Sequence, residues 1–152
     1  MKKRIDLAAE DALIETLQKH GVSCTLVSEE AGVKQIGDHA SEFYVVADPV
    51  DGTANAARGL PFADISLAVS NKPMLSGIEV ALVADVMRNA TYTASKGEGA
   101  YRNGTKIKPS ETVELEEAFV GVDFCTSRLK QVVDQLTEVL EKTRHVRHLG
   151  AN

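Results

Sequence analysis

The sequence predicts a layered α+β fold in which helices flank a largely antiparallel β-sheet. Residues 6–20 and 129–145 place apolar side chains three and four positions apart, as one face of an amphipathic helix requires. Between them, short apolar stretches alternate with turn residues, and Asn103-Gly104 is the dipeptide most typical of a tight hairpin. With 152 residues, 43% of them hydrophobic, the chain can form its own core. We therefore expect residues 1–152 to form a single domain.

The elements follow from the local patterns in chain order. The first helix is expected from Asp6 to His20, where Gly21 suits a left-handed helix end. Strands are predicted at residues 24–27, 43–47, 64–70, 78–86, 90–94, 100–102, 106–108 and 118–124. The second helix is expected from residue 129 to His145, with Ser127 at its N-cap. Since short turns join many of these strands, we expect an antiparallel meander covered by the two helices.

The charge balance bears on which partners the protein binds. The chain has 17 Lys and Arg against 22 Asp and Glu, a formal net charge of −5. Binding to nucleic acid or anionic membranes depends on clustered basic residues, and the basic cluster Lys2-Lys3-Arg4 is interpreted as a solvated helix start. No apolar stretch has the length of a membrane span or the pattern of a signal peptide. We expect a cytoplasmic protein that binds neither nucleic acid nor membranes.

Cysteine and histidine do not form a recognisable zinc motif. Cys24 and Cys125 stand far apart, without a C-x-x-C pattern, so we expect reduced thiols in the core. The four histidines, at positions 20, 39, 145 and 148, are interpreted as solvated or capping residues. Gly97-Glu98-Gly99 begins like a dinucleotide-binding loop, but Arg102 occupies the third glycine position, so a turn is favoured.

The segment Asp48-Pro49-Val50-Asp51-Gly52-Thr53 is the strongest candidate for a functional site. The fixed φ of proline stiffens the turn, so that the two flanking carboxylates can point to one place. Such hard oxygen ligands suit Mg²⁺, and the glycine and threonine would let main-chain amides approach a phosphate. Taken alone, Asp51-Gly52 is equally consistent with a hairpin turn, and Asp48 with a strand-end cap.

A second acidic pair strengthens the case for a metal site. Glu29-Glu30 follows the first predicted strand, although by itself Ser28-Glu29-Glu30 is more typical of a capping or solvated segment. If the two strands are neighbours, Glu29, Asp48 and Asp51 would meet around one or two cations. The two Asp residues are three positions apart, not two as in phosphatases with an aspartyl nucleophile, so covalent catalysis is disfavoured.

Together these motifs resemble the inositol monophosphatase family of Mg²⁺-dependent, lithium-sensitive sugar phosphatases. The resemblance runs from about Arg4 to the last residue and implies the sugar-phosphatase fold. The form of residues 51–56, with Arg58-Gly59 after it, is similar to archaeal members that act on inositol monophosphate and fructose 1,6-bisphosphate. Further segments resemble the family in the same order, namely Gly59-Leu60-Pro61-Phe62, residues 65–69, residues 96–104 and Arg147-His148-Leu149-Gly150.

The resemblance implies roles for individual residues. Glu29, Asp48 and the Val50 carbonyl would hold one Mg²⁺, or Mn²⁺ in its place, and Asp48 and Asp51 would contribute to a second. A water polarised by the metal and by the Glu29 and Thr53 positions would attack phosphorus in line. The catalytic residues are thus expected to be Glu29, Asp48, Asp51 and Thr53. Phosphate and substrate contacts are expected from Gly52, Thr53, Arg147 and Gly150.

Asp6 is a further candidate from the same resemblance. It stands where family members often have an Asp near the metal site, but Lys3 occupies the position of the usual threonine three residues earlier.

The chain also departs from the family pattern. Family members have an additional helix before the Asp6 segment and a C-terminal portion with a Trp-Asp motif, whose Asp completes the second metal site. This sequence contains no Trp, and Ala56 replaces a common Phe. Residues 147–152 end where sugar hydroxyls would be recognised. We therefore expect a truncated, metal-binding N-terminal portion of the fold, with a weakened second metal site and little or no phosphatase activity.

Three functions remain open at this stage. The first is a Mg²⁺-dependent phosphomonoesterase for a small sugar or polyol phosphate, such as inositol monophosphate or fructose 1,6-bisphosphate. The second is a non-catalytic metal-binding or assembly module, which would expose a large apolar face. The third is a phosphoadenosine-type nucleotide phosphatase of the same family. We also expect the protein to form a homodimer.

Overall fold

The computed structural model describes residues 2–38, 42–122, 124 and 128–151. The chain divides into two compact units. The first consists of Met1–Ile107 together with Ala151–Asn152, and the second of Lys108–Gly150. Among the described residues, no helix is both long and apolar enough to cross a membrane.

The first unit is built on an eight-stranded sheet with the order β2-β1-β3-β4-β5-β6-β7-β8. Its helices are α1 (Lys2–Lys19) and the short α2 (Thr53–Ala56). Its strands are β1 (Cys24–Ser28), β2 (Gly32–Ile36), β3 (Tyr44–Asp51), β4 (Asp64–Ser70), β5 (Ile78–Asp85), β6 (Ala90–Ser95), β7 (Gly99–Arg102) and β8 (Thr105–Ile107). The predicted α+β fold with a largely antiparallel sheet is confirmed.

The pair β1 and β3 differs from the other neighbouring strands of this sheet, because it is parallel. Its register places Ser28 beside Ala47. The next residues, Glu29 and Asp48, therefore lie at the same end of β1, where Glu29 follows the strand and Asp48 is still paired with Ser66 of β4. This pairing meets the condition under which the sequence predicts that the two acidic segments converge.

The core of the first unit lies between α1 and one face of the sheet. Leu26, Ile36 and Cys24 are fully buried there, and Ile14 of the helix packs against them. The predicted first helix and the buried, free thiol of Cys24 are confirmed, and burial raises the pKa of that thiol. Cys125 lies outside the described residues. Gly21 adopts φ 65 just after the helix, which is the left-handed conformation expected at this end.

The opposite face of the sheet is open and apolar. Because strand side chains alternate between faces, the neighbours of the core residues point to this other side. Val33 is 73% exposed and Val46 is 45% exposed. We call this surface the open sheet face, and its groove is lined by residues that include Thr25, Val27, Val33, Tyr44, Val46 and Ala68.

Two strands differ from the sequence-based prediction. β2 was not predicted, because only Ile36 of its five residues is buried and this edge strand lacks an alternating apolar pattern. β3 was expected to end before Asp48 but continues to Asp51, with a register shift against β4 between these residues. Asp51 is therefore paired with Asp64 of β4 and does not belong to a free hairpin turn.

The turns between the later strands agree with the sequence. Asn103 and Gly104 both have positive φ values, 48 and 78, and join the antiparallel strands β7 and β8. The segment around Gly97 forms the turn between β6 and β7, as favoured over a dinucleotide-binding loop.

The second unit contains α3 (Leu129–Lys142) and the parallel strand pair β9 (Phe119–Gly121) and β10 (His145–Arg147). The prediction that the helix reaches His145 is wrong. Thr143 already has extended backbone angles, so the helix ends at Lys142, and the Thr143 hydroxyl donates to the Val139 carbonyl at 2.7 Å. The predicted strand 118–124 shortens to β9, and the N-cap assigned to Ser127 lies outside the described residues.

Leu26→Ala tests the core of the first unit. Leu26 is fully buried, so its truncation leaves a cavity and should lower the free energy of unfolding by about 2–5 kcal/mol. Val33→Ala on the exposed edge strand is the control and should cost less than about 1 kcal/mol. Urea unfolding followed by circular dichroism measures both. Equal effects of the two substitutions would contradict this description of the core.

Candidate metal centre

The candidate site is a pocket at the end of β1, beside the last residues of β3. Three segments contribute to it: the start of α1, the residues after β1 and the end of β3 with the start of α2. The structure thus brings together acidic groups that lie far apart in the sequence. The pocket is lined by Asp6, Glu29, Glu30, Asp48, Pro49, Val50 and Thr53.

The backbone conformation around Pro49 orients the Asp48 carboxylate and the turn into α2. The register shift between β3 and β4 lies between Asp48 and Asp51, so the strand bulges here. The Val50 amide donates to Oδ1 of Asp48 at 3.1 Å, which holds that carboxylate beside its own backbone. Gly52 then adopts φ 81, and this left-handed conformation allows α2 to begin at the next residue.

Thr53 and Asp6 form a contact between helices α2 and α1. Oγ1 of Thr53 lies 2.6 Å from Oδ1 of Asp6 and 3.0 Å from the Val50 carbonyl oxygen. A hydroxyl carries one proton, and the shorter, charge-assisted bond is the one to the carboxylate. The structure therefore places Asp6 in the site. The sequence alone offers no local signal for this contact, because the two residues are 47 positions apart.

Glu10 is a buried acidic residue that sequence analysis missed. It is 3% exposed and lies one helical turn after Asp6 on α1. One of its carboxylate oxygens accepts a hydrogen bond from the Ser28 hydroxyl, and Ser28 directly precedes Glu29. This bond ties α1 to the end of β1. The four-residue spacing between the two acidic residues of the helix is the signal that would have found it.

The charges around Asp48 need compensation. Burial raises the pKa of Asp48, and the negative charges of Asp51 and Asp6 raise it further, against the lowering effect of the Val50 amide. In addition, Oε1 of Glu10 is buried without a hydrogen-bond partner in the described part of the chain. A bound cation would offset the negative charge around Asp48, and an ordered water would satisfy the Glu10 oxygen.

The donor set fits Mg²⁺, since it consists of carboxylates and a main-chain carbonyl. No group of three His, Cys, Asp or Glu side chains within the described residues forms a preassembled cluster. Mg²⁺ nevertheless commonly binds through one or two carboxylates and keeps several waters. The arrangement therefore suits a hydrated cation that is open to a substrate.

The remaining predicted site residues lie in two places. Asp51 and Gly52 connect β3 to α2, with Asp51 beside β4. Arg147 and Gly150 belong to the second unit, where the Arg147 guanidinium lies 5.0 Å from the centre of the Phe119 ring. Their contact with substrate stays a prediction.

The histidines of the second unit have local contacts. His145 stacks on Phe119 with ring centroids 5.9 Å apart, and Nδ1 of His148 lies 2.9 Å from the Val122 carbonyl oxygen. Both are exposed, as is His20, whereas His39 lies outside the described residues.

Comparison with known proteins gives consistent matches. The sequence model described as "Inositol monophosphatase family" matches residues 2–152. Fructose-1,6-bisphosphatase/inositol-1-monophosphatase of Methanothermobacter thermautotrophicus is 34% identical over 150 residues, covering 93% of this chain and 53% of that protein. Bifunctional NADP phosphatase/NAD kinase of Methanococcus maripaludis is 34% identical over 153 residues, covering 88% and 27%. Nus factor SuhB of Escherichia coli is 36% identical over 120 residues, covering 79% and 43%.

Solved structures share the fold. The inositol monophosphatase from Anabaena (Nostoc) sp. PCC 7120 superposes with a TM-score of 0.79 at 26% sequence identity, covering 97% of this chain and 58% of that chain. The chain spans about half or less of the length of the curated relatives it matches.

Asp48→Asn tests whether the negative charge of Asp48 destabilises the metal-free fold. Folding raises the pKa of Asp48, so the folded state binds a proton more readily than the unfolded state. The free energy of unfolding therefore falls as the pH rises from the pKa of Asp48 in the unfolded state to its pKa in the folded state. Without divalent cations, the variant should therefore melt at a higher temperature than wild type at pH 7. The gain should vanish towards about pH 4, near the ordinary Asp pKa.

Thermal melts by circular dichroism between pH 4 and pH 7 measure this difference. The exposed Asp11→Asn on α1 is the matched control and should leave the melting temperature unchanged at every pH. A lower melting temperature for Asp48→Asn at neutral pH would show that the ionised carboxylate stabilises the metal-free fold.

Proposed function

The chain belongs to the inositol monophosphatase family, and we propose that it carries the metal-binding portion of a Mg²⁺-dependent phosphomonoesterase for small phosphorylated sugars or polyols. The observation that supports this most is the pocket at the parallel ends of β1 and β3, where Glu29, Asp48 and Val50 lie together. Because the chain matches only part of its relatives' length, the activity of the whole protein is part of the proposal.

In this proposal the carboxylates and one carbonyl hold the cations. Glu29, Asp48 and the Val50 carbonyl would hold one Mg²⁺, and Asp48 and Asp51 a second, with Mn²⁺ able to replace either. Bound there, the cations would lower the pKa of water and neutralise charge on the phosphate.

Thr53 and Asp6 would orient the attacking water. The Thr53 hydroxyl donates to Asp6, so its oxygen is left as an acceptor for a proton of that water. Glu29 lies exposed on the same pocket and would accept the proton that the water loses. The water would then attack phosphorus in line with the departing alkoxide oxygen.

The turn at Gly52 would receive the phosphate. The first amides of a helix lack intrahelical acceptors, and α2 begins with Thr53 directly after this glycine. These amides can donate hydrogen bonds to an anion. Gly52 and Thr53 would therefore contact the phosphate, while Arg147 and Gly150 would contact the rest of the substrate.

The relatives support two substrate classes. The Methanothermobacter relative is named for fructose 1,6-bisphosphate and inositol 1-monophosphate, which supports sugar and polyol phosphates as the first candidate. The Methanococcus relative is named in part as an NADP phosphatase, which supports a phosphorylated nucleotide as the second. Phosphate release from fructose 1,6-bisphosphate, inositol 1-monophosphate and NADP would separate the candidates.

Assembly through the open sheet face is a second function that the structure favours. Val33 and Val46 expose apolar surface there, which is unusual for an isolated fold. The Escherichia coli relative is named a Nus factor, so a non-catalytic role stays a candidate. We propose that two copies of this chain pair through this face as a homodimer.

Cation binding by this chain is the first test of the proposed function. Calorimetric titration with Mg²⁺ and Mn²⁺ should show binding by wild type. Asp48→Asn and Asp51→Asn should each weaken it by about tenfold or more, because each removes a ligand. The exposed Asp11→Asn should bind as wild type does. Phosphate release from inositol monophosphate should be small or absent. No binding by wild type, or unchanged binding by Asp48→Asn, would contradict the proposed metal site.

The homodimer makes a separate prediction. Sedimentation velocity should show wild type as a dimer, and Val46→Asp should shift it to a monomer, because a charge on the open sheet face opposes burial. Val113→Asp, at an 89% exposed position of the second unit, is the matched control and should leave the dimer intact. A wild-type monomer at every concentration would contradict assembly through this face.

A further inference from the structure

Two acidic residues attach α1 to different parts of the site. Asp6 and Glu10 are four positions apart and therefore lie on one face of the helix. Asp6 accepts a hydrogen bond from Thr53 at the start of α2, and Glu10 accepts one from Ser28 at the end of β1. Asp6 and Thr53 line the pocket, whereas Glu10 and Ser28 are not among its lining residues. Any role of Glu10 in the proposed reaction must therefore act through another residue.

The surroundings of Glu10 suit an apolar side chain better than a carboxylate. One turn later on the same face of α1, Ile14 is buried in the core with Leu26. Glu10 and Ser28 are 3% and 7% exposed, and a buried polar pair is often less stabilising than apolar residues of similar size. In addition, Oε1 of Glu10 has no hydrogen-bond partner within the part of the chain that the structure describes. This cost to stability indicates that the carboxylate serves something other than packing.

Ser28 is the last residue of β1 before Glu29. It pairs with Gly32 of β2 and lies beside Ala47 of β3. Glu29 is exposed and begins the short turn that joins β1 to β2, so its position depends on how the end of β1 is oriented. The bond from Ser28 to Glu10 holds this end against α1. Because the bond is buried, it is stronger than the same bond would be in water.

We propose that Glu10 is a positioning residue, which holds Ser28 and through it directs Glu29 towards the first cation. This inference rests on the proposed function, in which Glu29 is a ligand of that cation. Groups that hold a metal ligand in place contribute to affinity although they do not touch the metal. Glu10 thus acts at the end of β1 as Asp6 acts at the start of α2, and α1 aligns both sides of the pocket.

The double variant Glu10→Leu/Ser28→Ala tests the proposal, because it removes acceptor and donor together and leaves neither of them buried and unpaired. In Mn²⁺ titration of the whole chain by calorimetry, it should bind about tenfold more weakly than wild type. In thermal melts without cations, it should melt at the same or a higher temperature, because apolar side chains replace a buried polar pair. A merely structural role would lower the melting temperature and leave the Mn²⁺ affinity of the folded protein unchanged.

Three further variants separate positioning from packing. Glu10→Gln keeps a side-chain oxygen that accepts the Ser28 proton, so it should retain most of the wild-type affinity. Ile14→Val, one turn later on α1, should lower the melting temperature but leave Mn²⁺ binding unchanged, because it removes only a buried methyl group. Addition of Glu29→Gln to the double variant should cause little further loss, because Glu10 acts through Glu29.

The results that would overturn the inference differ from those that would overturn the proposed function. If the double variant binds Mn²⁺ as wild type does while Glu29→Gln binds it weakly, Glu10 does not position Glu29, and the proposed function stands. The same holds if Glu10→Gln loses as much affinity as the double variant, or if the circular dichroism spectrum shows that the double variant is unfolded. If wild type binds no Mn²⁺, both the inference and the proposed metal site fail.

Discussion

The parallel pairing of β1 and β3 is the contact on which the site depends. An antiparallel pair would place Glu29 and Asp48 at opposite ends of the sheet, whereas the parallel register brings both to one end. The core stabilises this pairing, because Leu26 of β1 and Val45 of β3 are buried against α1. The hydrophobic packing of the first unit therefore determines which acidic residues can meet.

The same geometry places several negative charges close together. Asp6, Asp48 and Asp51 interact at the end of β3, and Asp64 extends the crowding to β4. Such an arrangement opposes folding when no cation is present, because burial and repulsion both disfavour the charged forms. In the proposed function, a divalent cation bound by these carboxylates would offset this repulsion. If these carboxylates bind the proposed cations, the same residues that serve the function lower the stability of the metal-free protein.

Local signals in the sequence were enough for most of the fold. The helical period before Gly21 and the hairpin at Asn103-Gly104 each depend on residues close in the chain, and the structure confirms both. The edge strand β2 was not predicted, because most of its side chains are exposed and they show no alternation of apolar and polar residues. The end of α3 was misplaced because the backbone becomes extended at Thr143 without a glycine or proline to indicate it in the sequence.

Long-range contacts set the limit of what the sequence predicts for the site. The acidic motifs after β1 and at the end of β3 were found from their residue types, but the bond from Thr53 to Asp6 joins residues 47 positions apart. The bond from Ser28 to Glu10 and the pairing of Asp64 with Asp51 likewise exist only once the sheet and α1 are assembled. Such contacts depend on strand order and register, which local patterns do not specify.

The most direct test of the central claim is the position of a bound cation. Crystals of the protein grown with Mn²⁺ would show the metal by its anomalous scattering. We predict a peak within coordination distance of Glu29, Asp48 and the Val50 carbonyl oxygen. An anomalous map with no peak in this pocket at saturating Mn²⁺, or with peaks only at exposed surface carboxylates, would contradict the account.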